Sequence, residues 1–155
     1  METVASAASI IAVIELSAKI ALLCNRYSSA VKNAKSEIER LQGELERLKI
    51  TLHGVRELLE SPDGEKLRTS HRLWGGLSDC SSQLTQLQLR LEKKLNHRSA
   101  NKVLSRFGIR ALKWPFESKE IDGIIKNLER YRDLLSLGLI VDQVYVSALL
   151  LTRFL

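Results

Sequence analysis

The chain has 155 residues, a formal charge of +6, 5% aromatic residues and only two prolines. That length supports one domain with a single core, and a leucine-rich, aromatic-poor composition with few breakers argues against a sheet and for helices. Two cysteines, Cys24 and Cys80, both on apolar stripe positions, form no CxxC pair and no cysteine-rich framework, so the alternative of a disulfide or redox switch has no local support. They are expected to be buried free thiols in a reducing compartment.

The first helix is expected over Thr3 to Lys32. Val4, Ala5, Ala8, Ile10, Ile11, Val13, Ile14, Leu16, Ile20, Leu22 and Leu23 cover more than half its circumference. Such a helix is central in a bundle or meant for another apolar environment. A signal peptide needs a positive start, but the second residue is Glu2 and the first cation is Lys19. The longest uncharged run, Thr3 to Ile14, is too short for a membrane span before Glu15 and Lys19 interrupt it. The reading is a soluble protein with an unusually apolar first helix. Glu15 and Lys19, one turn apart, are spaced as a surface pair.

The second helix is expected from about Lys35 to Glu60. Ile38, Leu41, Leu45, Leu48, Leu52, Val55 and Leu59 alternate at spacings of three and four, the heptad rule. A stripe that narrow is not stable alone in water and must lie against other helices. Glu37 with Arg40, Glu44 with Arg47, and Glu46 with Lys49 are opposite-sign pairs at i,i+3 on what is read as a solvated face. Each is worth a few tenths of a kcal/mol, so packing decides the fold. The heptad phase runs back through Ala34, Val31, Tyr27, Cys24 and Ile20 without a slip. One helix over residues 3 to 60 would be about 85 Å long, too long for a domain of this size, so a break is placed at Asn33 to Lys35.

Ser61-Pro62-Asp63-Gly64 is a turn sequence. The third helix follows, with Leu73, Leu77, Cys80, Leu84, Leu87, Leu91 and Leu95 in heptad spacing and Gly75-Gly76 expected to kink or delay its start. From Asn96 to Trp114 periodicity is weak. A short helix is expected at Ala100 to Phe107, ended by Gly108, with Trp114-Pro115-Phe116 as an extended link. The fourth helix opens at Glu117 or Ser118, with Glu117, Glu120 and Asp122 at its positive end and Ile121, Ile125, Leu128, Tyr131 and Leu135 as its stripe. Leu139 to Leu155 is apolar, with Asp142 and Arg153 its only charges, and reads as a further or unfinished helix. The fold class expected is all-α, an antiparallel bundle of four to five helices over residues 1–143. Residues 144–155 are expected to be a helical extension or a truncated linker.

No chemistry is visible. His53, His71 and His97 have no partners at metal spacing. There is no GxGxxG, no P-loop and no nucleophile elbow. Neither a catalytic residue nor a cofactor is expected, and the chain is not read as an enzyme. The charge excess has one source. Arg90, Lys93, Lys94, Arg98, Lys102, Arg106, Arg110 and Lys113 stand against Glu92 alone. This segment is either a solvated loop or an anion-binding strip. For the strip, acidic lipid is favoured over nucleic acid, because no nucleic-acid motif is present and Phe107 and Trp114 are too few for a stacking platform.

Four stretches carry a family resemblance: ASIIAVIELSAKIALLC (8–24), YSSAVKNAKSEIERLQGELERLK (27–49), LSDCSSQLTQLQLRLEKKL (77–95) and SRFGIRALKWPFESKEIDGIIKNLERYRDLL (105–135). They resemble the fungal N-terminal domain of STAND proteins, of the HeLo-like group, over roughly residues 2 to 143. The last stretch is the most specific. The resemblance implies a cell-death effector or signalling domain of innate immunity, placed ahead of NACHT or NB-ARC and repeat domains in NOD-like receptors. No such domain follows within these residues. It also implies a cytoplasmic bundle that assembles with itself or homologous bundles and is recruited to the plasma membrane. The first helix then inserts, here with Val4, Ile10, Ile11 and Ile14, while Lys93, Lys94, Arg98, Lys102, Arg106, Arg110 and Lys113 meet anionic lipid. The alternative is a bundle that only pairs with other helices. Asn33-Ala34 departs from the proline often found at the family's first helix break.

Overall fold

In the computed structural model, residues 2–31, 33–60, 74–100 and 113–154 are described, and every element among them is helical. The helices are α1 (Glu2–Ala30), α2 (Lys35–Glu60), α3 (Trp74–Ala100) and α4 (Ser118–Phe154). An all-helical packed bundle is therefore what the heptads build. The expected turn at 61–64 and the short helix at 100–107 fall wholly or mostly outside the described residues.

The break after α1 lies where the length argument put it. The Val31 amide closes on the Tyr27 carbonyl at 2.8 Å, and α2 opens with the Ile38 amide on the Ala34 carbonyl at 2.9 Å. Gly75 and Gly76 do not delay α3, which includes both. α4 joins the expected fourth helix to the helical extension expected beyond it. It is one helix of 37 residues, about 55 Å long, and it crosses Gly138 without stopping. One glycine costs about 1 kcal/mol in a helix, too little to separate two apolar segments that both favour it.

The core is a single cluster. Ile38, Leu41, Leu45, Leu48, Leu52 and Val55 from α2 meet Ile10, Val13, Ile20, Cys24 and Tyr27 from α1. Leu77, Cys80, Leu84, Leu87 and Leu91 of α3 join them, with Ile121, Ile125, Leu128 and Leu135 of α4. The heptad residues from Ile38 to Val55 on α2 and from Leu77 to Leu91 on α3, with Ile20, Cys24 and Tyr27 of α1 and Ile121, Ile125, Leu128 and Leu135 of α4, are thus buried, while Leu95 and Tyr131 are half-buried against them.

Helix directions refine the expected antiparallel arrangement. α1 packs on α2 and on α3, α2 packs on α4, and α3 touches α4 only thinly. Gln42 Nε2 donates to the Ala21 carbonyl at 3.3 Å and to Asn25 Oδ1 at 2.6 Å, so α1 and α2 are antiparallel. Tyr27, near the end of α1, donates its hydroxyl to the Leu91 carbonyl late in α3 at 2.7 Å, so those neighbours run parallel. Ser118 Oγ donates to Glu37 Oε1 at 2.6 Å and Arg40 Nη1 pairs with Asp122 Oδ1 at 2.9 Å, so α2 and α4 also run parallel. The ends of α1 and α3 and the starts of α2 and α4 consequently meet at one end of the bundle.

Charges depart from the expected i,i+3 pairs for the same reason. Glu44–Arg47 (3.0 Å) and Glu46–Lys49 (3.5 Å) form, but Arg40 leaves Glu37 for Asp122 on α4. Glu44 is not on a solvated face: its side chain is 0% exposed. Its second oxygen lies 3.1 Å from Arg132 Nε of α4. Neither of those two atoms has a hydrogen bond, so the N–H is not aimed at the oxygen and the contact is coulombic. Among the described residues Glu15 and Lys19 form no ion pair.

Candidate functional site: the outer face of α1 and the basic end

The inward face of α1 repeats at three and four: Ile10, Val13, Ser17, Ile20, Cys24 and Tyr27 are buried. Ser17 is tolerated there because its hydroxyl donates to the Val13 carbonyl at 2.9 Å. Ala8, Ala12, Glu15, Lys19, Leu22, Asn25 and Arg26 face outward. Ala8–Ala30, 23 residues, is long and apolar enough to cross a membrane in spite of Glu15 and Lys19, and only 28% of its most apolar window is buried. α1 is therefore two-faced, with a buried three-four stripe inside and a weakly polar outside on which Leu22 is 66% exposed.

The residues expected to insert are divided by this geometry. Ile10 is fully buried and Ile14 is half-buried against the core. Ile11 is half-buried, and the Val4 side chain lies outside the described residues. Ile10 is thus a core residue that reaches lipid only if α1 leaves the bundle.

The basic strip is described in part. Lys93, Lys94 and Lys113 are exposed. The Arg98 side chain and Lys102, Arg106 and Arg110 lie outside the described residues. Arg90 does not belong to a free strip. Its guanidinium donates to the Pro115 carbonyl at 2.6 Å, pairs with Glu120 at 2.8 Å and lies 4.3 Å from the Phe116 ring centroid. It fastens α3 to the start of α4. Lys93, Lys94 and Lys113 are also at the far end from the apolar start of α1. Tyr27 marks the level of Leu91, and Ile11 is sixteen residues earlier, about 24 Å along the axis.

Sequence reasoning treated Trp114-Pro115-Phe116 as a link, but it is a cap on this end of the bundle. The Trp114 ring meets Tyr27 edge-on at 5.3 Å and 81°, and Phe116 at 5.2 Å and 64°. Such pairs add about 0.5–1.5 kcal/mol each beyond area burial. The buried Trp114 Nε1 has no hydrogen-bond partner. Nothing in local spacing could show that Tyr27 and Trp114, 87 positions apart, would meet. Glu44 did leave a signal: it lies three residues after Leu41 and four before Leu48, on the edge of the stripe.

Both cysteines are free and buried. Burial pushes the Cys24 and Cys80 thiols from 9.0 up to about 12, so they stay protonated and are not nucleophiles. Burial, and secondarily Cys24, raises Tyr27 from 10.0 to about 12. Raised acids hold their stabilising effect fully below the unfolded pKa and lose it as pH climbs toward the folded one. Stability should therefore be independent of these three groups below pH 9.0 and fall between there and about 12, by up to about 1.4 kcal/mol per pH unit per group. Urea midpoints across that range measure it. A Cys24→Ala, Cys80→Ala chain should fall less steeply, and an equal slope would remove the thiols as its cause.

Among the described residues no group of three or more His, Cys, Asp or Glu could hold a metal ion. No family model, curated protein or solved structure matches the chain.

Proposed function

We propose that this chain is an effector and signalling bundle of the kind carried at the front of fungal NOD-like receptors, acting in programmed cell death by assembling and meeting the plasma membrane through α1. The observation that carries the reading is α1 itself, a 23-residue stretch apolar enough to span a bilayer and buried along one face only. The HeLo-like resemblance supports the same role, and the role requires no catalytic residue or cofactor. Its place is the cytoplasm, with recruitment to the membrane on assembly.

Because Lys93 and Lys94 lie at the opposite end from the start of α1, insertion of Ile10, Ile11 and Ile14 and contact of these lysines with lipid are separate acts. Dye release from liposomes with and without acidic lipid, using the protein fused to an inducible oligomerisation tag, tests both. Leakage should require assembly. Ile11→Glu with Leu22→Glu should abolish it with the helical signal intact, since Leu22 is 66% exposed. Charge reversal at Lys93, Lys94 and Arg98 should remove only the dependence on acidic lipid. Leakage by the double variant at the parent's rate would overturn the role of α1.

A second reading is an interaction module that never enters a bilayer. It is favoured by a different observation: Leu137, Ile140 and Leu151 of α4 are each more than half exposed.

A further inference from the structure

α1 differs from the other three helices in what fastens it. Ion pairs tie α2 to α4, through Arg40 with Asp122 and Glu44 with Arg132, and α3 to α4, through Arg90 with Glu120. Among the described residues no ion pair reaches α1. Beyond its apolar stripe, hydrogen bonds to its neighbours gather in its last third. Gln42 of α2 holds the Ala21 carbonyl and Asn25, and Tyr27 holds the Leu91 carbonyl of α3. Tyr27 is 0% exposed, and the Trp114 ring closes over it edge-on at 5.3 Å.

The arm that carries Trp114 belongs to the ion-paired frame and not to α1. The Glu117 carbonyl accepts the Ile121 amide at 3.0 Å, so Glu117 caps α4 and the buried Phe116 and Ile121 take the two positions of a hydrophobic staple. Phe116 meets Trp114 at 5.2 Å. Arg90 grips the same arm from α3, by its bond to the Pro115 carbonyl and its place over the Phe116 ring. The described contacts of Arg90 are with Pro115, Phe116 and Glu120, none of which is on α1.

The stretch of α1 apolar enough to cross a bilayer, Ala8–Ala30, contains Tyr27. To leave the bundle as a unit it must draw Tyr27 off the Leu91 carbonyl and out from under Trp114. We infer that Trp114-Pro115-Phe116 is an autoinhibitory clasp, which pins α1 in the bundle through Tyr27 and frees it when Trp114 lifts. The inhibitory role rests on the membrane reading of α1; the hold on α1 does not. Once free, Tyr27 has a matching place in lipid. It stands near the end of the span beside Arg26, where a tyrosine exchanges its buried partner for the headgroup layer. The clasp acts on a local opening of α1, and an edge-on ring pair with its buried area shifts such an equilibrium about tenfold.

The chain carries its own probes. Cys24 on α1 and Cys80 on α3 are free and fully buried. Burial, and after it Cys80, raise the Tyr131 hydroxyl of α4, so Cys80 lies toward α4. Thiol alkylation of the whole chain without lipid, read at each cysteine by peptide mass spectrometry, follows the opening of α1. Trp114→Ala should raise the Cys24 rate about tenfold and the Cys80 rate far less. Arg90→Ala should do the same, although Arg90 is on the helix of Cys80, because it positions the arm. Its side chain is 46% exposed, so this variant keeps the core if Trp114→Ala does not fold. Tyr27→Phe, which loses the Leu91 bond and keeps the ring, should raise the Cys24 rate about threefold. Equal acceleration of both thiols is general loosening and overturns the clasp, as does a Cys24 rate that neither Trp114→Ala nor Arg90→Ala changes. Dye release from acidic liposomes by the same chains is read separately. Faster Cys24 with faster leakage supports the inhibitory role, and faster Cys24 with leakage no greater than the parent's removes it. Leakage by no chain at all ends the membrane reading, whereas leakage with Cys24 unchanged in the variants ends the clasp alone.

Discussion

Arg132→Ala is expected to cost about 3 kcal/mol of folding stability, far more than the removal of an exposed arginine. Arg132 is 27% exposed, and it lies against a carboxylate with no exposure at all. Its loss strands one oxygen of Glu44, which would be left with only Arg47 on its other oxygen. It also removes a tie between α2 and α4. The contrast is Glu44→Met. Replacing a buried ion-pair member with an apolar side chain of similar shape is often neutral or stabilising, because the desolvation penalty goes with it. Glu44→Met should therefore lie within about 1 kcal/mol of the parent, since Arg47 and Arg132 retain access to water. Urea denaturation of both variants decides the matter. Equal losses would mean that Glu44 serves as packing and that its charge is incidental.

Ile20→Ala should lose about 2–5 kcal/mol, whereas Leu22→Ala, two residues on, should stay within about 0.5 kcal/mol. Both are large aliphatic residues in the same apolar run, and only the heptad phase, which passes through Ile20 and not Leu22, ranks them in the sequence. Ile20 is 0% exposed and belongs to the core cluster, so alanine leaves a cavity that close-packed neighbours fill only in part. Leu22 is 66% exposed. The pair of measurements also bears on function. If Leu22→Ala proved as costly as Ile20→Ala, the outer face of α1 would be covered in solution, and the apolar surface on which the membrane reading depends would not be available to lipid.

The alternation of three and four is a local property of the chain, so much of the architecture could be read without coordinates. Ile38 to Val55, Leu77 to Leu91 and Ile121 to Leu135 were placed on buried faces by spacing alone, and they are buried, save Tyr131, which is half-buried. The break near Asn33 followed from a length limit rather than from a local signal, and it too is present. What spacing does not encode is which stripe lies against which. An apolar stripe has no address, so the parallel packing of α1 with α3 and of α2 with α4 appears only in the assembled bundle.

The same limit applies to polar groups. Local spacing paired Arg40 with Glu37, but α4 brought Asp122 closer, and a charge takes the partner that tertiary packing supplies. Glu44 read as solvated until α4 delivered Arg132 and covered it. The apolar character of α1 and the concentration of positive charge after Arg90 were properties of the sequence by itself. Their placement was not: only the directions of the helices put Lys93 and Lys94 beside the end of α1 and left the apolar half of α4 beyond the reach of α2 and α3. Composition and period determine what each surface is made of. The order and direction in which helices pack determine which of those surfaces meet water.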